Sequence, residues 1–121
     1  MRHRAFFVTV FSLSLAALAP RASAHAFPDH AMPAVGSTVS PAPGTVTIWF
    51  TGKLEPDFSR IEVQDARGAS VDQGNAAVDP QDATVMRVSL KKLPAGTYKV
   101  HWHAVSVDTH ATDGDFSFTV K

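Results

Sequence analysis

Through most of the chain beyond residue 44, apolar and polar residues alternate with a period of two. Val46-Thr47-Ile48-Trp49-Phe50 is rich in β-branched and aromatic residues, Ile61-Glu62-Val63 alternates, and so does Val85-Met86-Arg87-Val88-Ser89-Leu90. The longest such run is Tyr98-Lys99-Val100-His101-Trp102-His103-Ala104-Val105, and the last is Phe116-Ser117-Phe118-Thr119-Val120. A strand turns successive side chains to opposite faces, so these runs are predicted as half-buried strands. Turn-forming residues stand between them: Pro41-Ala42-Pro43-Gly44, Arg67-Gly68, Gly74-Asn75, Asp79-Pro80, Pro94-Ala95-Gly96 and Asp113-Gly114-Asp115. No segment reads as a helix of ordinary length. Short strands at this spacing predict an all-β domain, a β-sandwich or a small Greek-key β-barrel.

Alternation also assigns faces. Tyr98, Val100 and Trp102 point one way, toward the predicted core, while Lys99, His101 and His103 point the other. Phe116, Phe118 and Val120 share a face. A domain this small must bury its largest side chains, so these aromatics are read as core. Met86, inside an alternating strand, is read as core filler.

The first residues follow another pattern. Met1-Arg2-His3-Arg4 is basic, Ala5 to Ala19 carries no charge, and Pro20-Arg21 then breaks the run before Ala22-Ser23-Ala24. This order predicts a secretory signal peptide, residues 1–24, cut after Ala24. The apolar run is shorter than the roughly 17–25 residues of a spanning helix, so no membrane insertion of the mature chain is expected. Cleavage of 24 from 121 residues leaves 97, one domain over 25–121, beginning at His25.

Composition narrows the partners. Arg2, Arg4 and Arg21 leave with the leader, so eight Lys and Arg face eleven Asp and Glu, a net charge of −3 with neutral histidines. That balance speaks against nucleic acid and anionic membrane, both of which need a basic patch. The chain has no cysteine. A thiolate nucleophile, a zinc–cysteine site and a lipidated N-terminal Cys are therefore excluded. The expected product is soluble in an oxidising compartment, the bacterial periplasm.

Cleavage after Ala24 changes the chemistry of His25. An N-terminal histidine carries a free α-amine and an imidazole, and the amine nitrogen and Nδ1 can close a six-membered chelate ring on one metal ion. An α-amine titrates at about 7.7–8.0, so a metal can displace its proton near neutral pH. A third nitrogen from another imidazole would give a tetragonal set suited to Cu(II), which heads the divalent affinity order. Asp108-Thr109-His110 offers that imidazole. If extended geometry persists there, Asp108 and His110 face the same way, and a carboxylate and an imidazole could reach one ion. Each residue also has an ordinary reading: a chance histidine near a cut site, a turn pair, and, for His101 and His103, solvated strand positions. Asp29 and His30 form a lesser alternative, because Pro28 interrupts the amide run that a terminal copper-binding peptide would use.

The whole predicted mature chain resembles the CopC family of periplasmic copper-resistance proteins. His25-Ala26, Pro33-Ala34 and Gly36 are similar to that family's opening segment, and Pro43 with Val46 to Phe50 to its first long strand. Leu93-Pro94-Ala95-Gly96-Thr97-Tyr98-Lys99-Val100-His101-Trp102 resembles a further block. Val105-Ser106-Val107-Asp108-Thr109-His110, Gly114 and Phe116 to Val120 resemble the most specific one. The resemblance implies an Ig-like β-sandwich or Greek-key β-barrel that binds Cu(II) at one end. It implies ligands at His25 (amine and Nδ1), Asp108 and His110; His103 is not among them and is either a candidate for the surrounding shell or merely exposed. Thr109 stands where many members have glycine. Some members add a Met-rich Cu(I) site, since soft thioethers suit the softer ion. Here the mature chain has only Met32 and Met86, in unlike contexts, so a single Cu(II) site is expected.

The expected function is a non-enzymatic, monomeric copper carrier or buffer, whose partner by resemblance is a CopD-like inner-membrane copper transporter. A terminal-histidine copper centre also serves oxygenases that cleave polysaccharides. Those need an open coordination position and an extended substrate face, whereas Asp108 would crowd the ion and no row of exposed aromatics is evident. A third reading is an Ig-like interaction module with incidental metal binding, which predicts weak copper binding that survives loss of His25. No Ser–His–Asp set or phosphate-binding glycine loop argues for other catalysis.

Overall fold

The computed structural model describes residues 25–121; the predicted leader, 1–24, lies outside the described residues. Eight strands follow in order: β1 (Pro28–Met32), β2 (Thr38–Val39), β3 (Thr45–Phe50), β4 (Arg60–Gln64), β5 (Ala77–Val78), β6 (Val85–Ser89), β7 (Gly96–Val105) and β8 (Ala111–Val120). The one helical element among the described residues is a short 3-10 turn, Pro56–Phe58. The strands form two four-stranded sheets, ordered β1-β3-β6-β5 and β2-β8-β7-β4. The pairings are antiparallel except that β2 runs parallel to β8. The chain crosses between sheets after β1, β2, β3, β4 and β6, so neither sheet is built from consecutive strands alone. This is the all-β, Ig-like β-sandwich that the alternation and the resemblance predict.

The predicted faces hold. Tyr98, Val100 and Trp102 point inward from β7 and meet Phe116, Phe118 and Val120 of β8, all buried. Val46, Ile48 and Phe50 of β3 and Met86 and Val88 of β6 close the core from the first sheet. Each large side chain so buried contributes roughly 1.5–3 kcal/mol of hydrophobic stabilisation. In a domain without disulfides this layer must supply the driving force for folding.

Three strands escape the alternation rule. β2 and β5 are two residues long, too short to show a period. In β1 only Ala31 is buried, because the strand lies at a sheet edge with most of its surface in solvent.

One predicted turn is wrong. Asp113-Gly114-Asp115 lies inside the ten-residue β8, where Gly114 pairs with Trp102. A β-carbon at Gly114 would stand 2.7 Å from Trp102 Cζ2, so the glycine makes room for the indole in mid-strand. Gly68 and Gly74, by contrast, occupy turns with positive φ, as their sequence context predicts.

Candidate metal centre

Strand pairing brings His25 and His110 to one end of the sandwich. β1 runs antiparallel to β3, so the segment before β1 lies beside the end of β3. β7 and β8 form a hairpin whose turn, residues 106–110, projects at the same end. Thr51, just after β3, holds the N-terminal segment by its hydroxyl. Its Oγ1 donates to the His25 carbonyl at 3.3 Å and accepts from the Phe27 amide at 3.1 Å. The Thr51 amide donates in turn to the Phe27 carbonyl at 2.8 Å. From the other sheet, Thr112 Oγ1 donates to the Ala26 carbonyl at 2.6 Å. The Ala26 side chain is buried between the layers. Fastened at 25, 26 and 27, the segment places the His25 ring against that of His110, with centroids 4.3 Å apart and planes 33° from parallel.

The hairpin turn departs from the extended geometry expected for Asp108-Thr109-His110. The Ser106 amide donates to the His110 carbonyl at 2.9 Å and the Thr109 amide to the Ser106 carbonyl at 2.8 Å, which closes a tight loop. Thr109 sits at φ 73°, a left-handed conformation that a β-branched residue adopts only under strain. Asp108 and His110 meet nonetheless, because the turn folds the carboxylate back. Oδ2 lies 3.1 Å from His110 Nδ1, and Oδ1 accepts from the His110 amide at 3.3 Å.

Sequence reasoning missed Ser106. It is fully buried, and its hydroxyl donates to Asp108 Oδ1. That bond, followed by those from the His110 side chain and amide, lowers the Asp108 carboxyl to about 2. The carboxylate is therefore ionised at neutral pH and can only accept, so His110 Nδ1 carries the proton of the neutral ring and Nε2 keeps its lone pair. A carboxylate that fixes one ring nitrogen and frees the other is a common support for a metal-binding histidine. Thr51 and Thr112 were missed as well. Only the Ser-x-Asp-x-His spacing could have pointed to Ser106, and nothing local marks the two threonines.

The other candidates lie elsewhere. His103 is on the outward face of β7, with Nδ1 4.0 Å from Asp113 Oδ2, and no hydrogen bond joins it to Asp108 or His110. On β1, His30 stacks on Trp49 with centroids 4.4 Å apart and bonds Asp29 at 2.7 Å. Met86 is buried in the core and Met32 is exposed on β1. Among the described residues, no three acidic, histidine or cysteine side chains already converge as a metal cage.

A two-layer β-sandwich that gathers two imidazoles and a supported carboxylate at one end has the build of a small metal-binding domain. The CopC domain family matches residues 29–121. The chain is 35% identical over 115 residues to copper resistance protein C of Xanthomonas campestris pv. juglandis, across 88% of this chain and 90% of that protein. The crystal structure of CopC from Methylosinus trichosporium OB3b superposes with a TM-score of 0.75 at 30% identity, covering 80% of this chain and 94% of that one. PcoC, a methionine-rich copper resistance protein from Escherichia coli, superposes at 0.69 with 34% identity, covering 81% and 100%. The chain belongs to the CopC family of copper-resistance proteins, as the sequence resemblance implied, and copper is the metal of that family.

Proposed function

We propose that the protein is a periplasmic Cu(II) carrier or buffer whose site is completed by removal of residues 1–24. The freed α-amine and Nδ1 of His25 form one chelate, and His110 adds Nε2. Asp108 contributes negative charge beside the imidazoles and, from its place at Nδ1, orients the His110 ring. The observation that carries this reading is the juxtaposition of the His25 and His110 rings, 4.3 Å apart although 85 positions separate them in sequence. Nitrogen-rich donors of this kind suit Cu(II) above other common divalent ions. As a carrier the protein works as a monomer without catalysing a reaction and passes its cargo to a CopD-like inner-membrane transporter.

The test is electron paramagnetic resonance of the Cu(II)-loaded chain beginning at His25. It is compared with His110→Ala and with a variant carrying one extra residue before His25. The expected spectrum shows three nitrogens, one fewer in His110→Ala, and loss of the chelate in the extended variant. An unchanged spectrum in the extended variant would eliminate the terminal-amine site.

A further inference from the structure

The outer face of the second sheet carries imidazoles that the terminal site does not use. His101 and His103 are two apart on β7 and point outward together. Their partners on β8 are acidic: His101 pairs with Asp115 and His103 with Asp113. On the other side β4 sets Glu62 opposite His101 and Arg60 opposite His103. The result is two parallel rows, Glu62-His101-Asp115 and Arg60-His103-Asp113, lying across three strands.

The rows have a chemistry of their own. Asp115 Oδ1 lies 2.6 Å from His101 Nδ1, and Asp113 Oδ2 lies 4.0 Å from His103 Nδ1. Asp115 is therefore hydrogen-bonded to the δ nitrogen of His101, the relationship also seen between Asp108 and His110, while Asp113 stands beyond hydrogen-bond distance of His103 and adds negative charge beside it. A carboxylate at Nδ1 stabilises the tautomer whose Nε2 is free to ligate. Same-face neighbours on a strand are about 6.6–6.8 Å apart, a span two imidazoles can close by leaning toward one ion. Arg60, the cation nearest in register, lies with Nε 3.5 Å from Glu62 Oε1, which draws its charge toward that carboxylate. Lys99 lies one row further along, paired with Gln64 and Ser117. Three carboxylates against these two cations leave the face anionic.

We propose that His101 and His103 form a second, weaker Cu(II) site on the outer face of the β4–β7–β8 sheet, chelated through the two Nε2 atoms, with Asp115 orienting the His101 ring and Asp113 adding negative charge beside His103. Imidazole pairs with carboxylate support favour Cu(II) over the lighter divalent ions. The site is independent of the terminal one. It requires no free amine, and no hydrogen bond joins its rows to His25, Asp108 or His110.

The test is a calorimetric and paramagnetic titration of the chain beginning at His25 with Cu(II) alone. The expected isotherm has two steps. The double variant His101→Ala/His103→Ala loses the weaker step and keeps the tighter one, whereas His110→Ala weakens the tighter step and leaves the other in place. Both mutated side chains face solvent, and a circular dichroism melt checks that the fold is retained. A single equivalent bound by the unmodified chain would overturn the proposal. So would a weaker step that survives in the double variant, or one that disappears instead in His30→Ala.

Discussion

Thr112 Oγ1 donates a 2.6 Å hydrogen bond to the carbonyl of Ala26, across 86 positions of sequence. The bond ties the residue after His25 to the strand that leaves His110, so the two halves of the candidate copper site are fastened by a hydroxyl that would touch no metal. Replacing it with valine keeps the shape and removes the donor. Thr112→Val should cost about 1 kcal/mol of that linkage. Cu(II) affinity, measured by competition with a chelator, should fall by roughly fivefold. An unchanged affinity would mean that Thr51 alone holds the terminus.

Ser106 governs the ionisation of Asp108. The carboxyl is lowered to about 2 in the folded protein, chiefly by the Ser106 hydroxyl. An unfolded aspartate titrates near about 3.9. The sign follows from linkage: the contribution to stability is fully present above the unfolded value and is lost as pH falls from about 4 through about 2. In Ser106→Ala the Asp108 carboxyl should titrate measurably higher, read by carbon-detected NMR of the side chain. The acid unfolding midpoint should move up in the same direction.

Gly114 opposes Trp102 with no space for a β-carbon, the nearest indole atom being 2.7 Å from where it would lie. Gly114→Ala must push the ring or the strand, and overpacking of this kind costs about 1–3 kcal/mol. For a domain of this size each kcal/mol lowers the melting temperature by roughly 4–8 °C. Thermal unfolding of the metal-free protein should show that loss.

Thr109 is held at φ 73° in the hairpin turn. A non-glycine residue in this region costs roughly 1–3 kcal/mol, and glycine takes back about 0.5–1 kcal/mol through its freedom in the unfolded chain. Thr109→Gly should therefore stabilise the protein by about 1 kcal/mol, seen as a higher denaturation midpoint with an unchanged denaturant slope. A destabilised variant would show that the threonine side chain contributes packing that outweighs its strain.

Much of the fold was legible in the chain because burial on one face writes a period of two into any strand long enough to repeat it. β3, β4, β6, β7 and the second half of β8 all carry that signature. β2 and β5 do not, being two residues long, and β1 does not, being exposed at an edge. The first half of β8 was hidden by Gly114, because a glycine between two aspartates is the ordinary signal of a turn. Only the packed Trp102 ring reveals its other use.

For the candidate site, the sequence by itself determined the chemistry: a histidine that cleavage would make terminal, an Asp-x-His pair, no thiol, and a family resemblance that the matches bear out. The tertiary structure decided the rest. It set the imidazoles of His25 and His110 side by side, turned Asp108 onto the δ nitrogen of His110, and recruited Ser106, Thr51 and Thr112 to hold them. The physical reason is range. Periodicity and spacing report what a residue meets within its own strand or turn, whereas a contact between residues 26 and 112 exists only once the two sheets have packed.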